Sequence, residues 1–393
     1  MTDKGLKYKV TYGGWYQRTT LHLSEICNLF MDGESYLNLS KDELKRLQAN
    51  LELENISRES GFLEYVKAVT SSGIEIRYYE DGLYVLEIVT DDIAAAQKLL
   101  EEYFEQKLNP AISYIFSLGA PTPKILANIK TVHPVVISFF KKDHRTFTPD
   151  ESQFGKVYTK ISSENITVSK THNFIFICTS SKSDESLINL IETQIFFREF
   201  KDQLEKYLAI HRTIWEEISE IKEAKMVKGK EVDLIRGNLD GYQKTISLIS
   251  NRINQMNSYI NTRSSIAKHF GLEEELISLF EYKFETLTDT LAYIKEIWKM
   301  TSDYLSSAIG NLVEIKNQST SNNLKSLQTI TSIGVISGVL GYLSADKLPK
   351  VSTSGAIYFI VLFCLTWGMN VLLKKFSQRK KYSLKFGDRA SNL

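Results

Sequence analysis

The sequence predicts an α/β N-terminal domain, then long α-helices, a stalk helix and a two-helix transmembrane hairpin. Three observations carry that expectation. Strand-like alternation is confined to the first part of the chain, ending near Cys178. No proline occurs between Pro149 and Pro349, and an interior proline costs a helix about 3 kcal/mol. Two stretches near the end, Ser326–Ala345 and Val351–Leu373, carry no charge, and about 20 apolar residues suffice to cross a bilayer core.

The elements follow in order. Lys7–Tyr12, Ile74–Tyr79 and Leu83–Val89 alternate β-branched and aromatic residues as strands do. Asp91 and Asp92 precede Ala94–Leu108, an acidic start suited to the positive end of a helix. Val135–Phe140 reads as a further strand, and Val157–Ile161, Ile166–Val168 and Phe174–Cys178 as short paired strands. Residues 1–180 are therefore expected to form the α/β domain.

The period then becomes helical. Phe197, Phe200, Leu204, Leu208, Ile214, Ile218 and Ile221 fall on one helix face. Lys228-Gly229-Lys230 marks a turn, and a second helix is expected from Leu234 to His269, stopped by Gly271. Leu276, Phe280, Phe284, Leu287, Leu291, Ile294, Trp298, Leu305, Ile309 and Leu312 continue a stripe that nothing interrupts before Ser326. One stalk helix from Glu273 to Leu343 is expected, about 105 Å long at 1.5 Å per residue; a kink near Gly310 is the alternative. Residues 181–325 make the helical domain and stalk, 326–345 the first span, 346–350 an outer loop, 351–373 the second span and 374–393 a basic tail.

Composition excludes several classes. The formal net charge is +1, without the basic excess of a nucleic-acid binder. Met1–Gly14 lacks the apolar run of a signal peptide. Cys27, Cys178 and Cys364 are isolated, which suits a reducing compartment. After Leu373 the tail holds seven Lys or Arg and one acid, so the positive-inside rule places both termini in the cytoplasm. A bacterial or archaeal inner membrane is the expected location.

Catalytic patterns are absent. No phosphate-binding glycine loop occurs, and no histidine pair stands four apart. The chain is not expected to be an enzyme. Glu273-Glu274-Glu275 suits a helix N-terminus better than a cation site. Gly13-Gly14-Trp15-Tyr16 suits a turn with packed aromatics better than a base-stacking site, and Lys141-Lys142-Asp143-His144-Arg145 suits a solvated turn better than a phosphate contact.

In the first uncharged stretch Gly334 and Gly338 are four apart, as are Ser337 and Gly341, a spacing that lets helices approach closely in lipid. The second, with Tyr358, Phe359, Phe363 and Trp367, is bulkier. This layout resembles the CorA family of metal-ion transporters over about residues 155–381. Asn323-Leu324-Lys325-Ser326-Leu327-Gln328-Thr329 is similar to that family's entry into its pore helix, Leu348-Pro349…Gly355 to its outer loop, and Lys374-Lys375…Lys380-Lys381 to its basic end. The Gly-Met-Asn signature at the outer mouth is missing: Gly341-Tyr342-Leu343 or Ala345-Asp346-Lys347 stands in its place.

The resemblance implies a homopentameric CorA-like funnel. Helical spacing makes Ser321, Leu324, Gln328, Thr331, Val335, Gly338 and Tyr342 the expected pore lining, with Leu324 and Leu327 as an apolar constriction. Without the signature, the chain looks like the CorA-like effectors of type III CRISPR systems. That branch implies an antiviral channel gated when a nucleotide-type second messenger binds the cytoplasmic domain. The alternative is a divalent metal-ion transporter (Mg²⁺, Co²⁺ or Zn²⁺) with a modified filter. The cofactor expectation stays open between none, a divalent cation such as Mg²⁺, and a nucleotide-type signalling ligand. The partners expected are the membrane, copies of the chain itself and that ligand, with no direct nucleic acid. The ligand pocket and any metal site are not readable from the sequence.

Overall fold

The computed structural model describes residues 6–16, 23–116, 134–181, 184–223, 226–228, 231–343, scattered positions between 357 and 375, and 381–383. The chain divides into two units: Met1–Ile210 with Leu248–Ile297, and His211–Ser247 with Trp298–Leu393.

The first unit is built on a nine-stranded mixed sheet, in the order β2-β3-β4-β5-β1-β6-β9-β8-β7. Its strands are β1 (Tyr8–Trp15), β2 (Leu53–Glu59), β3 (Tyr65–Thr70), β4 (Glu75–Tyr79), β5 (Leu83–Thr90), β6 (Val135–Phe140), β7 (Thr159–Ser162), β8 (Ile166–Lys170) and β9 (Phe174–Thr179). Among the described residues only β6 and β9 run parallel, and the other pairings are antiparallel. Side chains alternate across a pleated sheet, so each strand serves two layers. Val10, Ile76, Tyr78, Leu86, Ile137 and Phe176 join one core with Ile26, Phe30, Leu44, Leu51, Leu100 and Ile112. Those last six come from α1 (Leu23–Asp32), α2 (Lys41–Leu51), α3 (Ile93–Tyr103) and α4 (Asn109–Phe116). A π-turn at Phe104–Leu108 joins α3 to α4. The Asp92 carboxylate accepts from the Ala95 N–H at 3.0 Å and caps α3, as its acidic start predicts. A one-turn helix, α5 (Glu151–Phe154), precedes β7.

The opposite face of the sheet carries α6 (Asp184–Glu223) and α7 (Val232–His269). Trp15 meets Phe196 and Phe200 of α6 and Tyr259 of α7, with ring centroids 5.4–5.9 Å apart. Gly13 sits where a Cβ would come within 2.9 Å of the Tyr84 carbonyl and 3.1 Å of Ile195, so the helix approaches β1 at a position without a side chain. Gly271 ends α7 as expected. It adopts φ +66°, and the Leu272 N–H reaches back to the Ala267 carbonyl at 2.8 Å.

The stalk differs from expectation. It is two helices, α8 (Glu273–Phe280) and α9 (Phe284–Leu343), broken at residues 281–283. Glu281 takes a left-handed conformation at φ 62°, and Tyr282 stacks on Phe197 at 4.2 Å. Gly310 lies inside the continuous α9, so the chain is not divided into two helices there.

In the second unit, His211 on α6 bonds Thr301 on α9 at 2.7 Å, and Trp215 packs on Tyr304 at 5.3 Å. Lys316 pairs with Asp233 at 2.7 Å. A two-stranded sheet joins β10 (Met226–Lys228) to β11 (Lys381–Ser383).

Among the described residues, no helix is long and apolar enough to cross a membrane. This corrects the expected transmembrane hairpin, the CorA-like funnel built on it, the membrane-protein assignment and the inner-membrane location. The physical reason lies in composition. Gln328, Thr329, Thr331, Ser332 and Ser337 put polar side chains along the first uncharged stretch and lower its hydropathy. The outer loop at 346–350 lies outside the described residues, and the second expected span at 351–373 and the tail at 374–393 lie largely outside them.

Candidate functional site

The expected pore-lining residues lie along a single helix, α9. Ser321, Leu324, Leu327, Gln328, Thr331, Val335 and Gly338 are all exposed positions of α9. Leu324 is 56% and Val335 58% exposed, and the Thr331 hydroxyl donates to the Leu327 carbonyl of its own helix at 2.9 Å. Tyr342 is on the same helix, with its side chain outside the described set.

The other flagged motifs have packing roles. Trp15 and Tyr16 lie at the end of β1 rather than in a turn, and their polar atoms are spent: Trp15 Nε1 donates to the Asp81 carbonyl at 2.7 Å and the Tyr16 hydroxyl to Asn109 Oδ1 at 2.6 Å. His144 is buried, with Nδ1 2.9 Å from Thr167 Oγ1 and Nε2 3.0 Å from the Glu164 carbonyl. Glu273–Glu275 form the first turn of α8. Among the described residues no group of three or more His, Cys, Asp or Glu is placed to hold a metal ion.

Chemistry concentrates instead where β3 and β4 meet α6 and α7. The sequence expectation missed these residues. Arg77 on β4 is its centre. Its Nε donates to Glu192 on α6 at 3.1 Å, Nη2 to Glu87 on β5 at 2.9 Å, and Nη1 to Glu75. Glu192 also accepts from the Tyr79 hydroxyl at 2.6 Å. Glu87 is paired with Lys9 at 2.7 Å, and Glu75 with Lys67 at 3.2 Å. Beside this group, Arg263 on α7 grips Asp81 with Nε at 2.6 Å and Nη2 at 3.1 Å. Its guanidinium lies over the Tyr79 ring at 5.0 Å.

Burial works against the charge on Arg77, but the Glu192 and Glu87 carboxylates outweigh it and hold the guanidinium above its ordinary pKa. Burial likewise opposes the charge on Arg263, and Asp81 more than restores it. Burial first, then the Glu192 carboxylate, push the Tyr79 phenol well up. Tyr65 is pushed up to about 12 by burial and by its bond to Glu59. The network is balanced in formal charge. Lys9, Lys67, Arg77 and Arg263 face Glu75, Glu87, Glu192 and Asp81.

An open cleft of about 390 Å³ lies over this floor. Tyr65, Lys67, Glu75, Arg77 and Tyr79 form its base, Ile188 and Asn189 one wall, Ile266 and Phe270 the other, and Phe62 its lip. Phe62 is 56% exposed and packs at a tilt against His269, with ring centroids 4.3 Å apart. The arrangement has apolar and aromatic walls over a polar floor, a combination found in small-molecule sites. Its lining offers ion pairs, hydroxyl groups and aromatic faces to a bound molecule. One signal for it was present in the sequence: Glu75 and Arg77 alternate with Ile74, Ile76 and Tyr78 in a strand-like run, which places both charges on one face of the strand.

No protein-family model matches the chain, and no curated protein matches it.

Proposed function

We propose that the chain is a ligand-responsive, non-enzymatic effector: the sheet unit binds a small molecule and the long helices carry the response. The observation that supports this reading is the cleft floor. One ion-pair network ties β1, β4 and β5 to α6 through Arg77–Glu192, and its neighbour ties the β4–β5 turn to α7 through Asp81–Arg263. A ligand that displaces any of these contacts changes how two long helices are held. A ligand shifts such an equilibrium only by its differential affinity for the two states, and a shared charge network is a place where that difference arises.

The ligand class proposed is the nucleotide-type signalling molecule implied by the resemblance to CorA-like defence effectors, acting on a homopentamer. Phe62, Tyr65, Tyr79 and Phe270 offer faces for a base, and base–aromatic stacking contributes about 1–3 kcal/mol. Lys67, with a side chain 35% exposed, is the lining cation open to a phosphate. No membrane span enters this reading.

Titration calorimetry of the full chain with linear and cyclic nucleotides tests it. At least one should bind, and Phe62→Ala should weaken that binding about 10-fold, the lower part of the stacking range. A panel in which none binds, or binding indifferent to both Phe62→Ala and Lys67→Ala, removes the proposal.

A further inference from the structure

The last turns of α7 stand between two clefts. Arg263, Ile266 and Phe270 line the one already described. Ile260, Ser264 and Lys268, spaced four apart on another face of the helix, line a second. Its other walls are α8 and the start of α9, and all of it lies within the first unit. Its volume is about 370 Å³, at the small end of the range of about 300–1,000 Å³ found for small-molecule sites.

The break between α8 and α9 shapes one wall. Glu281 there is a left-handed non-glycine residue at φ 62°, a strain that persists only where the surrounding structure over-determines it. Tyr282 and Phe284 follow it into the cleft lining, and both pack on Phe197, with ring centroids 4.2 and 5.6 Å away. Ile260 and Leu276, each 1% exposed, supply an apolar floor.

The rim is charged on both sides. Lys268 and Glu273 flank the turn at Gly271, and Lys283 and Glu285 follow the break. Among the described residues none of these four is ion-paired, whereas the charges under the first cleft pair with one another. Two cations and two carboxylates leave no net formal charge. The rim therefore favours neither a polyanion nor a polycation. It suits a ligand that carries one charge of each sign beside an apolar group.

We propose that this second cleft binds a zwitterion with an apolar side chain, of the class of a free amino acid or a dipeptide. The ligand carboxylate pairs with the rim lysines, its ammonium with the rim glutamates, and its side chain lies on Ile260, Leu276 and Phe284. The proposal stands apart from the nucleotide reading, because no residue lines both clefts.

Titration calorimetry of the full chain with L-leucine, L-phenylalanine and leucyl-leucine tests it. At least one should bind. Its N-acetyl and C-terminal amide forms, which each lack one charge, should bind about 10-fold more weakly, the loss of one charge-assisted hydrogen bond. The four rim side chains are exposed, so their substitution leaves the packing intact. Lys268→Ala with Lys283→Ala should weaken binding and abolish the preference for the free carboxylate over the amide. Glu273→Gln with Glu285→Gln should abolish the preference for the free ammonium over the acetylated form. Phe62→Ala, in the first cleft, should leave binding unchanged. Failure of all three compounds to bind overturns the proposal, as does binding indifferent to the capped forms. So does binding that Phe62→Ala weakens and the lysine pair does not, since that puts the ligand in the first cleft.

Discussion

Arg263 is 1% exposed and its carboxylate partner Asp81 is 2% exposed, so the pair is held away from solvent. Removing one partner leaves a buried charge unpaired, which costs about 3–5 kcal/mol. Arg263→Leu should lower stability by that amount in urea unfolding. A loss below about 1 kcal/mol would mean that water reaches Asp81 freely. Glu199 gives a pH signature. Burial raises its pKa, against the pull of Arg198 2.9 Å away. A folded pKa above the unfolded one means that the folded chain holds the proton more tightly. Stability therefore falls as pH rises from the ordinary carboxylate range through the folded value. Glu199→Gln should flatten that slope between pH 4 and 7 in denaturant titrations, whereas an unchanged slope would assign it to other acids. Burial pushes the Cys178 thiol up to about 11, and its side chain is fully enclosed. At pH 8 iodoacetamide should modify Cys364 and spare Cys178 until the protein is unfolded, as mass spectrometry of the labelled peptides will show. At this scale the sequence was a poor guide. Arg77, Glu192, Asp81 and Arg263 stand 115 or more positions apart across each ion pair between sheet and helix, and no local pattern connects residues that only the fold brings together.

Elements were easier to read where local chemistry decides them. The strands around Ile74–Tyr79 and Leu83–Val89, the Asp92 start of α3 and the Gly271 stop of α7 each follow from alternation, capping or a left-handed glycine. The α8–α9 break did not. No glycine or proline marks residues 281–283, and the apolar stripe runs through them. Tertiary packing decides there: the ring of Tyr282 stacks on Phe197, and the Tyr282 N–H turns back to the Leu276 carbonyl at 3.0 Å. Glu281 bears the cost, since a left-handed non-glycine residue is disfavoured by about 1–2 kcal/mol. Glu281→Gly should therefore raise stability by about 0.5–1 kcal/mol in urea unfolding. A loss would show that the contact with Lys170, whose ammonium lies over the Phe280 ring at 5.2 Å, outweighs the backbone strain. The α1–α2 pair and strands β2 and β3 were also missed. Their short apolar runs are broken by charges such as Glu54 and Arg58, on an edge strand whose partly exposed faces blur the alternation.

For the whole molecule, the change from strand period to helix period near residue 180 was legible because 3.6 and 2 are distinct periods. The apolar C-terminal stretches were legible as composition but not as membrane spans, since length without charge does not separate a span from a helix rich in glycine and hydroxyl side chains. Mass photometry of the purified chain tests the proposed assembly: the expected species has five times the 45.0 kDa chain mass, and a monomer at micromolar concentration removes the pentamer from the reading. The order of the sheet has a further consequence, one that concerns synthesis. β1, the earliest of the nine strands in chain order, is the fifth across the sheet and lies between β5 and β6. It has no neighbour until residues 83–90 emerge and is not enclosed until 135–140 follow. During translation the β2–β5 meander can zip locally while the segment destined for the centre waits, exposed and rich in aromatics. A pause in elongation between β5 and β6 would lengthen that wait, so the nascent chain is most in need of a chaperone there.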